Sequence, residues 1–370
     1  MSKFVENSLN NIGRTATAFR CLPLLLLSTM MICSLPAHAQ YSYQFVRPPE
    51  AELTQTMGIN NAGMVTGGYS IGDIRFSFIY DMKSGEYTDI DTEMGVLDIS
   101  NSGVMVGDVD RVCAIRDKKG NITLFFPPAY VSPPAYTVYS ECQARGVNSD
   151  GKVSGYVQSF LDDGVDEWQV WTGFIHDPKK GTYEEFLTSP RTEEFWPPPR
   201  TIAHAINAQG QNVGNVYLSE GEAYDGSSKG WYGYLRQTDG SVKYFEISQS
   251  APGWTTARGI SESGLITGFY YDSVTFEVRS YVTTLSNDTE FETITLTDDQ
   301  VLYQTHCDAT LLPPEEGDWV LFTDWYASQI RNDGVVVGGC SDTYWNLDTD
   351  EYIFSEWYGF IATPIKKGRR

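Results

Sequence analysis

The feature that most constrains this chain is a short pattern that it uses six times. GINNAGMVTGGY (58–69) returns as DISNSGVMVGDV (98–109), GVNSDGKVSGYV (146–157), AINAQGQNVGNV (205–216), GISESGLITGFY (259–270) and QIRNDGVVVGGC (329–340). Such self-similarity marks a supersecondary unit that buries its apolar face only by packing on its neighbours. In each copy an aliphatic residue leads into an Asn- or Ser-type turn. One glycine comes four residues after the aliphatic residue and a second four beyond that, giving Gly63/Gly67, Gly103/Gly107, Gly151/Gly155, Gly210/Gly214, Gly264/Gly268 and Gly334/Gly338. The first glycine suits the positive φ of a tight hairpin, helped by adjacent Asn, Asp or Ser. The second falls within a strand, where the missing Cβ permits a bulge or a close backbone approach.

A third strand follows with an aromatic–aliphatic pair: Phe78-Ile79, Phe174-Ile175, Tyr234-Leu235, Tyr281-Val282 and Phe360-Ile361. A turn then leads to a fourth strand, as in Lys83-Ser84-Gly85-Glu86-Tyr87-Thr88-Asp89-Ile90. Four short strands with hairpin links are the composition of a propeller blade. The sixth unit runs out at Lys366-Lys367-Gly368 without its fourth strand, while Tyr41-Ser42-Tyr43-Gln44-Phe45-Val46 is a spare strand that would complete it and close the ring. The expected fold is all-β, a single six-bladed β-propeller over residues 40–370. Uneven spacings of the first glycines (40, 48, 59, 54 and 70 residues) suit blades with variable loops better than a regular solenoid.

Residues 1–39 read as an export signal: Lys3, Arg14 and Arg20, an apolar stretch Leu22–Leu35, and the small-x-small site Ala37-His38-Ala39 before Gln40. Ile32 before Cys33 is too bulky for a lipoprotein signal. The mature protein is expected in the periplasm or outside the cell, a monomer with no membrane span of its own. Loss of three basic residues and Glu6 takes the net charge from −22 to −24, which excludes nucleic acid and anionic membrane as partners. Four cysteines remain, Cys113, Cys142, Cys307 and Cys340, and they allow three disulfide connectivities. Pairs 113–142 and 307–340 would staple the same face of the propeller. With no CxxC and with His176, His204 and His306 scattered, no Cys/His metal site is expected.

The units resemble the HAF repeats of bacterial extracellular proteins, roughly A-x-G/A-I-N-x-x-G-x-V-x-G followed by a G-F/A-F/I-type strand. The best copies are Ala144-Arg145-Gly146-Val147-Asn148-Ser149-Asp150-Gly151 and Ala203-His204-Ala205-Ile206-Asn207-Ala208-Gln209-Gly210. Two copies depart from the pattern: Asp98 replaces the small residue in the second, and Gln329 and Arg331 disturb the sixth. The resemblance implies a secreted propeller-like scaffold and no particular activity.

In a propeller the innermost strand runs down the channel, so alternate links lie on opposite faces. Here the first-to-second and third-to-fourth links are tight. The other set is long and variable: Ser159–Trp171, Leu218–Gly230, Ser341–Trp357, and the inter-blade segments 127–143, 188–202 and 297–326. Binding usually resides on such loops. Trp168, Trp171, Trp196, Trp231, Trp254, Trp319, Trp325, Trp345 and Trp357 lie in or beside them, and most large aromatics serve packing. Pro127-Pro128, Pro133-Pro134, Pro197-Pro198-Pro199 and Pro313-Pro314 stiffen the same loops.

Aligned first strands give one column, Met57, Leu97, Arg145, His204, Arg258 and Ser328. Facing the channel, it would form a cationic arc from three consecutive blades, fit to clamp a carboxylate or sulfate with His204 as a proton-transfer group. Facing between blades, its arginines would instead pair with acids. The candidate ligand-binding residues are therefore Arg145, His204, Arg258, Trp171, Trp231 and Trp345. Gly68-Tyr69-Ser70-Ile71-Gly72 matches a nucleophile elbow, but no helix follows it. The acidic groups Asp108/Asp110, Asp162/Asp163/Asp166 and Asp348/Asp350/Glu351 offer oxygens to Ca²⁺ without EF-hand spacing, and no cofactor is expected. The sequence thus points to a non-catalytic binding module for a carbohydrate or protein ligand. The alternatives are a lyase or glycosidase acting on an acidic polysaccharide, and a structural envelope or matrix protein.

Overall fold

The repeated turn closes on its own side chain. In the third copy Asn148 Oδ1 accepts from the backbone N–H of Asp150 (3.1 Å) and Lys152 (2.9 Å), and Gly151 N–H donates to the Asn148 carbonyl (3.0 Å). The first glycines of all six copies adopt φ between 81° and 88°, a region closed to most side chains. The same asparagines reach on to the next copy. Asn60 Nδ2 donates to the Ser100 carbonyl (3.3 Å), Asn148 Nδ2 to that of Asn207 (3.0 Å) and Asn207 Nδ2 to that of Ser261 (3.4 Å). Ser100 and Ser261 close their turns with their hydroxyls, at 3.1 and 3.0 Å from the N–H of Val104 and Leu265. A hydroxyl is too short for both tasks.

This computed structural model describes residues 41–365, apart from 91–92, 129–136, 163–166, 187–199, 219–229, 286–290, 299, 303, 305, 308–318, 347–348, 350 and 355–356. The leader 1–39, Trp196, and the clusters 133–134, 197–199 and 313–314 lie outside those residues.

The chain is an all-β propeller of consecutive antiparallel meanders. Their inner strands are Leu53–Ile59, Gly95–Ile99, Thr137–Val147, Arg200–Ile206, Ser250–Ile260 and Trp319–Ile330. Each pairs with the strand after its turn, which pairs with a third. Two of the long links are extended hairpins: Val153–Asp162 pairs with Glu167–Asp177, and Val336–Asn346 pairs with Tyr352–Phe354. The spare strand Tyr41–Val46 pairs antiparallel with Tyr358–Pro364 and supplies the outer strand of the sixth meander.

The fifth meander differs from the others in its outer strand. Its outer strand is only Val301–Leu302, because Phe291–Ile294 crosses to pair in parallel with Val242–Ile247 of the fourth. Phe291 packs against the cluster of Val216, Leu218, Tyr232, Tyr234 and Tyr244, so an apolar anchor draws the segment to its neighbour.

The second glycine is a seat. A Cβ on Gly155 would stand 2.1 Å from the Gln143 carbonyl oxygen and 2.6 Å from the Phe174 ring, and Gly67, Gly214, Gly268 and Gly338 meet an inner-strand carbonyl and an aromatic ring in the same way. The aromatics are their cross-strand partners: Phe78, Phe174, Tyr234, Tyr281 and Phe360. The second copy has Ala114 there and a Gly95 carbonyl at 1.8 Å.

Apolar clusters fill the spaces between meanders. One joins Ala205, Val213 and Leu235 to Ala257, Ile266 and Tyr281; another joins Val65, Phe78 and Tyr80 of the first meander to Val335, Val337 and Ile361 of the sixth. Thr56 Oγ1 also bonds across that last boundary, to the carbonyls of Gly338 (2.6 Å) and Phe360 (3.0 Å). The disulfides are Cys113–Cys142 and Cys307–Cys340, each tying one meander to the next.

Gly155→Ala is expected to cost about 2–3 kcal/mol, since backbone on one side and a packed ring on the other leave nowhere for the methyl. Urea denaturation checks this, and an unchanged midpoint would contradict the seat. Replacing Cys113 and Cys142 together by serine, which opens a loop of 29 residues, is expected to lower stability by about 3–4 kcal/mol.

Candidate functional site

The seat has a consequence on the inner strand. To place its carbonyl on the glycine, that strand carries one extra residue, a β-bulge, in every copy. Thr56↔Gly67 is followed by Gly58↔Thr66, leaving Met57 unpaired. The same shift leaves Leu97, Arg145, His204, Arg258 and Ser328 unpaired. A bulge re-aims its side chain, and four of the six meet in two pairs. Ser328 Oγ lies 3.9 Å from Met57 Sδ, and Arg258 Nη1 lies 3.5 Å from His204 Nδ1. The column therefore faces inward, and the arginines have not been spent on acids between the sheets.

Directly after the column the strands close on each other. A Cβ on Gly58 would be 2.7 Å from the Asp98 Cα, one on Gly146 2.7 Å from the Ala205 Cα, and one on Gly259 2.8 Å from the Gln329 Cα. In this crowded layer the two departures from the repeat are partners: Gln329 Nε2 reaches Asp98 Oδ2 (3.4 Å), which also accepts from Val147 N–H (2.9 Å). They meet beside Gly58, whose lack of a side chain makes the room. Below them Ile59, Ile99, Val147, Ile206, Ile260 and Ile330 line an axial cavity of about 40 Å³ that opens on the tight-turn face.

Above this layer, toward the long links, sits the arc. Arg145 and Arg258 are partly buried and His204 is 3% exposed. Gln143 Oε1 accepts from Arg145 Nη2 (2.7 Å) and from Tyr156 Oη (2.8 Å), while the guanidinium lies 5.5 Å from the Tyr156 ring centroid. Arg258 lies over Phe269 at 5.2 Å. Among the described residues no carboxylate forms an ion pair with any of the three. Asp108 is near enough for Arg145 to pull its carboxyl down against burial, which raises it.

Burial, then the charges of Arg258 and Arg145, hold His204 well below the usual histidine range, so it is neutral near pH 7. Burial and Arg145 likewise push Arg258 down, but a guanidinium stays charged. Arg145 Nε, His204 Nε2 and Arg258 Nε are all buried without an acceptor.

Trp171 and Trp231 come together nearby, with ring centroids 5.6 Å apart, and Trp171 stacks on Tyr156 at 5.7 Å. Arg200, absent from the sequence-derived candidates, lies over both Trp171 (5.4 Å) and Tyr217 (5.8 Å). Its place four residues before His204 on one strand was the available signal. Trp345 stands on the sixth meander, 6.0 Å from Phe322, and Trp325 is fully buried beside Phe360. Among the described residues no group of His, Cys, Asp or Glu is arranged to hold a metal ion, and no helix is long and apolar enough to cross a membrane.

No protein-family model and no curated protein matches this chain. Several solved structures do. Virginiamycin B lyase from Staphylococcus aureus, in a catalytically inactive form with quinupristin, is 10% identical over 87% of this chain and 99% of its own, with a TM-score of 0.39. An oligogalacturonate lyase in complex with manganese is 9% identical over 88% and 96%, at 0.40. The Dos1 propeller is 11% identical over 85% and 94%, at 0.37. The likeness is one of overall fold, and no residue role is carried across.

Burial raises the Asp98 carboxyl to about 7, against the bonds from Val147, Ile99 and Gln329 that lower it. A carboxyl raised in the fold adds stability that is full below its ordinary value near 3.8 and lost as pH rises through about 7. Asp98→Asn should therefore gain on the wild type between pH 4 and pH 8, by on the order of 4 kcal/mol. Urea melts across that range check this, and a difference independent of pH would mean that water reaches the carboxylate.

Proposed function

We propose that this protein is an exported HAF-type repeat protein whose six sheets are the blades of one closed ring. It acts as a non-catalytic binding module, taking an anionic group into the channel from the long-link side. The observation that carries this reading is the set of three buried side-chain nitrogens, Arg145 Nε, His204 Nε2 and Arg258 Nε, without a partner among the described residues, in a chain of net charge −22. The sequence has 48 acidic residues, yet among the described residues no carboxylate forms an ion pair with either arginine. Buried donors without acceptors cost free energy unless a ligand completes them, and two guanidinium groups favour a carboxylate or sulfate. The two disulfides accord with an oxidising compartment.

A catalytic reading has one observation in its favour, a neutral histidine beside two cations, able to accept a proton. Calorimetry with sulfate, glucuronate and glucose tests the binding reading. Sulfate and glucuronate are expected to bind and glucose is not. In an Arg145→Ala/Arg258→Ala variant that still melts cooperatively, binding should weaken at least ~100-fold. Failure of every anion to bind would refute the site. Conversion of an acidic oligosaccharide to new products would move the protein to the enzymes.

A further inference from the structure

Resting on that anion-site reading, we infer that the ligand is an acidic oligosaccharide that enters the channel by one charged end and lays its following sugar rings on an aromatic rim.

The cationic arc and the aromatic rim share the same three meanders. On the inner strands, alternate residues face one way, so Arg200 and Trp254 stand above His204 and Arg258 with one inward residue between, Ile202 and Thr256. Four residues of extended chain put these rim groups about 13 Å above the arc. From sheet to sheet the rim is continuous: Trp171 pairs with Arg200 and Trp231 with Trp254 in parallel, and Trp254 lies 5.9 Å from Tyr271. The rings are already held by one another, and Trp254 remains 47% exposed.

Two further buried donors stand at this rim without acceptors, Arg200 Nε and Trp171 Nε1. Five buried side-chain nitrogens without a partner among the described residues therefore belong to these three meanders, three in the arc and two at the rim. The column positions of the other three meanders are Met57, Leu97 and Ser328, which carry no charge.

A ligand that answers this arrangement carries negative charge at its inner end, oxygen acceptors along its length, and flat apolar faces outside. Pyranose rings bearing carboxylate or sulfate have all three: hydroxyl and ether oxygens accept, and the C–H face of the ring lies on an indole. A free inorganic anion answers only the arc. A peptide is held by strand addition or by pockets for its side chains, whereas the rim offers flat faces.

The experiment is calorimetric titration of the purified protein with sulfate, glucuronic acid, β-1,4-linked oligoglucuronates from di- to hexasaccharide, and neutral cello-oligosaccharides. The tetrasaccharide is expected to bind at least ~10-fold more tightly than the monosaccharide. Trp254→Ala, at an exposed position that leaves the core intact, should abolish that gain while sparing monosaccharide and sulfate affinity. Arg258→Ala should weaken all the acidic ligands. Sulfate and monosaccharide binding with no gain for longer chains would overturn the carbohydrate assignment and leave the anion site standing. So would equal affinity for an acidic peptide or a nucleoside monophosphate. Failure of every anion would remove both readings.

Discussion

The contact on which the rest of this structure depends is a carbonyl oxygen pressed against a glycine. In each copy the second glycine of the repeat lies under an inner-strand carbonyl, at distances from 1.8 to 2.2 Å for an added Cβ. In five copies an aromatic ring from the third strand covers the same glycine. No other residue fits between backbone and ring, and the fit requires the inner strand to carry one extra residue. That residue is left out of the ladder and turned to the axis. A packing rule inside each sheet thus leaves one inner-strand position free of the ladder in every copy.

What occupies that position is unusual for so acidic a chain. At long range the net charge repels an anion, but beyond a Debye length of about 8 Å at physiological salt that repulsion is largely screened. At contact the balance reverses. Two unit charges 4 Å apart attract by about 4 kcal/mol at the effective dielectric of a partly buried site, and among the described residues Arg145 and Arg258 form no ion pair with a carboxylate. His204, kept neutral by the same burial and the same arginines, adds a donor without adding repulsion between cations. The layer below is closed by Asp98 and Gln329, two residues that each break the repeat and together make a bond.

Much of this was legible in the residues. The positive φ of the first glycines, the aromatic third strand and the N-terminal strand pairing with the sixth meander follow from turn chemistry and periodicity, while the structure selects one of the three disulfide connectivities that the cysteines allow. The orientation of the column was not, because strand alternation allows either face and only the bulge decides between them. Nor could spacing show that Phe291–Ile294 leaves its own meander, since a four-residue apolar strand fits either neighbour and the open place beside Val242–Ile247 selects it. Arg200 was overlooked because it follows Pro197-Pro198-Pro199 and reads as part of a loop.

By itself the sequence determined the repeating unit: six glycine pairs, five of them with a turn that closes on its own asparagine or serine, form short hairpins. Those are local constraints, set by backbone conformations open to glycine and by side chains that reach a few residues along the chain. The tertiary structure alone decided that Asp98 and Gln329, 231 residues apart, are partners. It also decided that Arg258 meets His204 and that Arg145 lies over Tyr156. Those proximities belong to the packing of whole sheets around an axis, where residues distant in the chain meet because every sheet must bury both its faces.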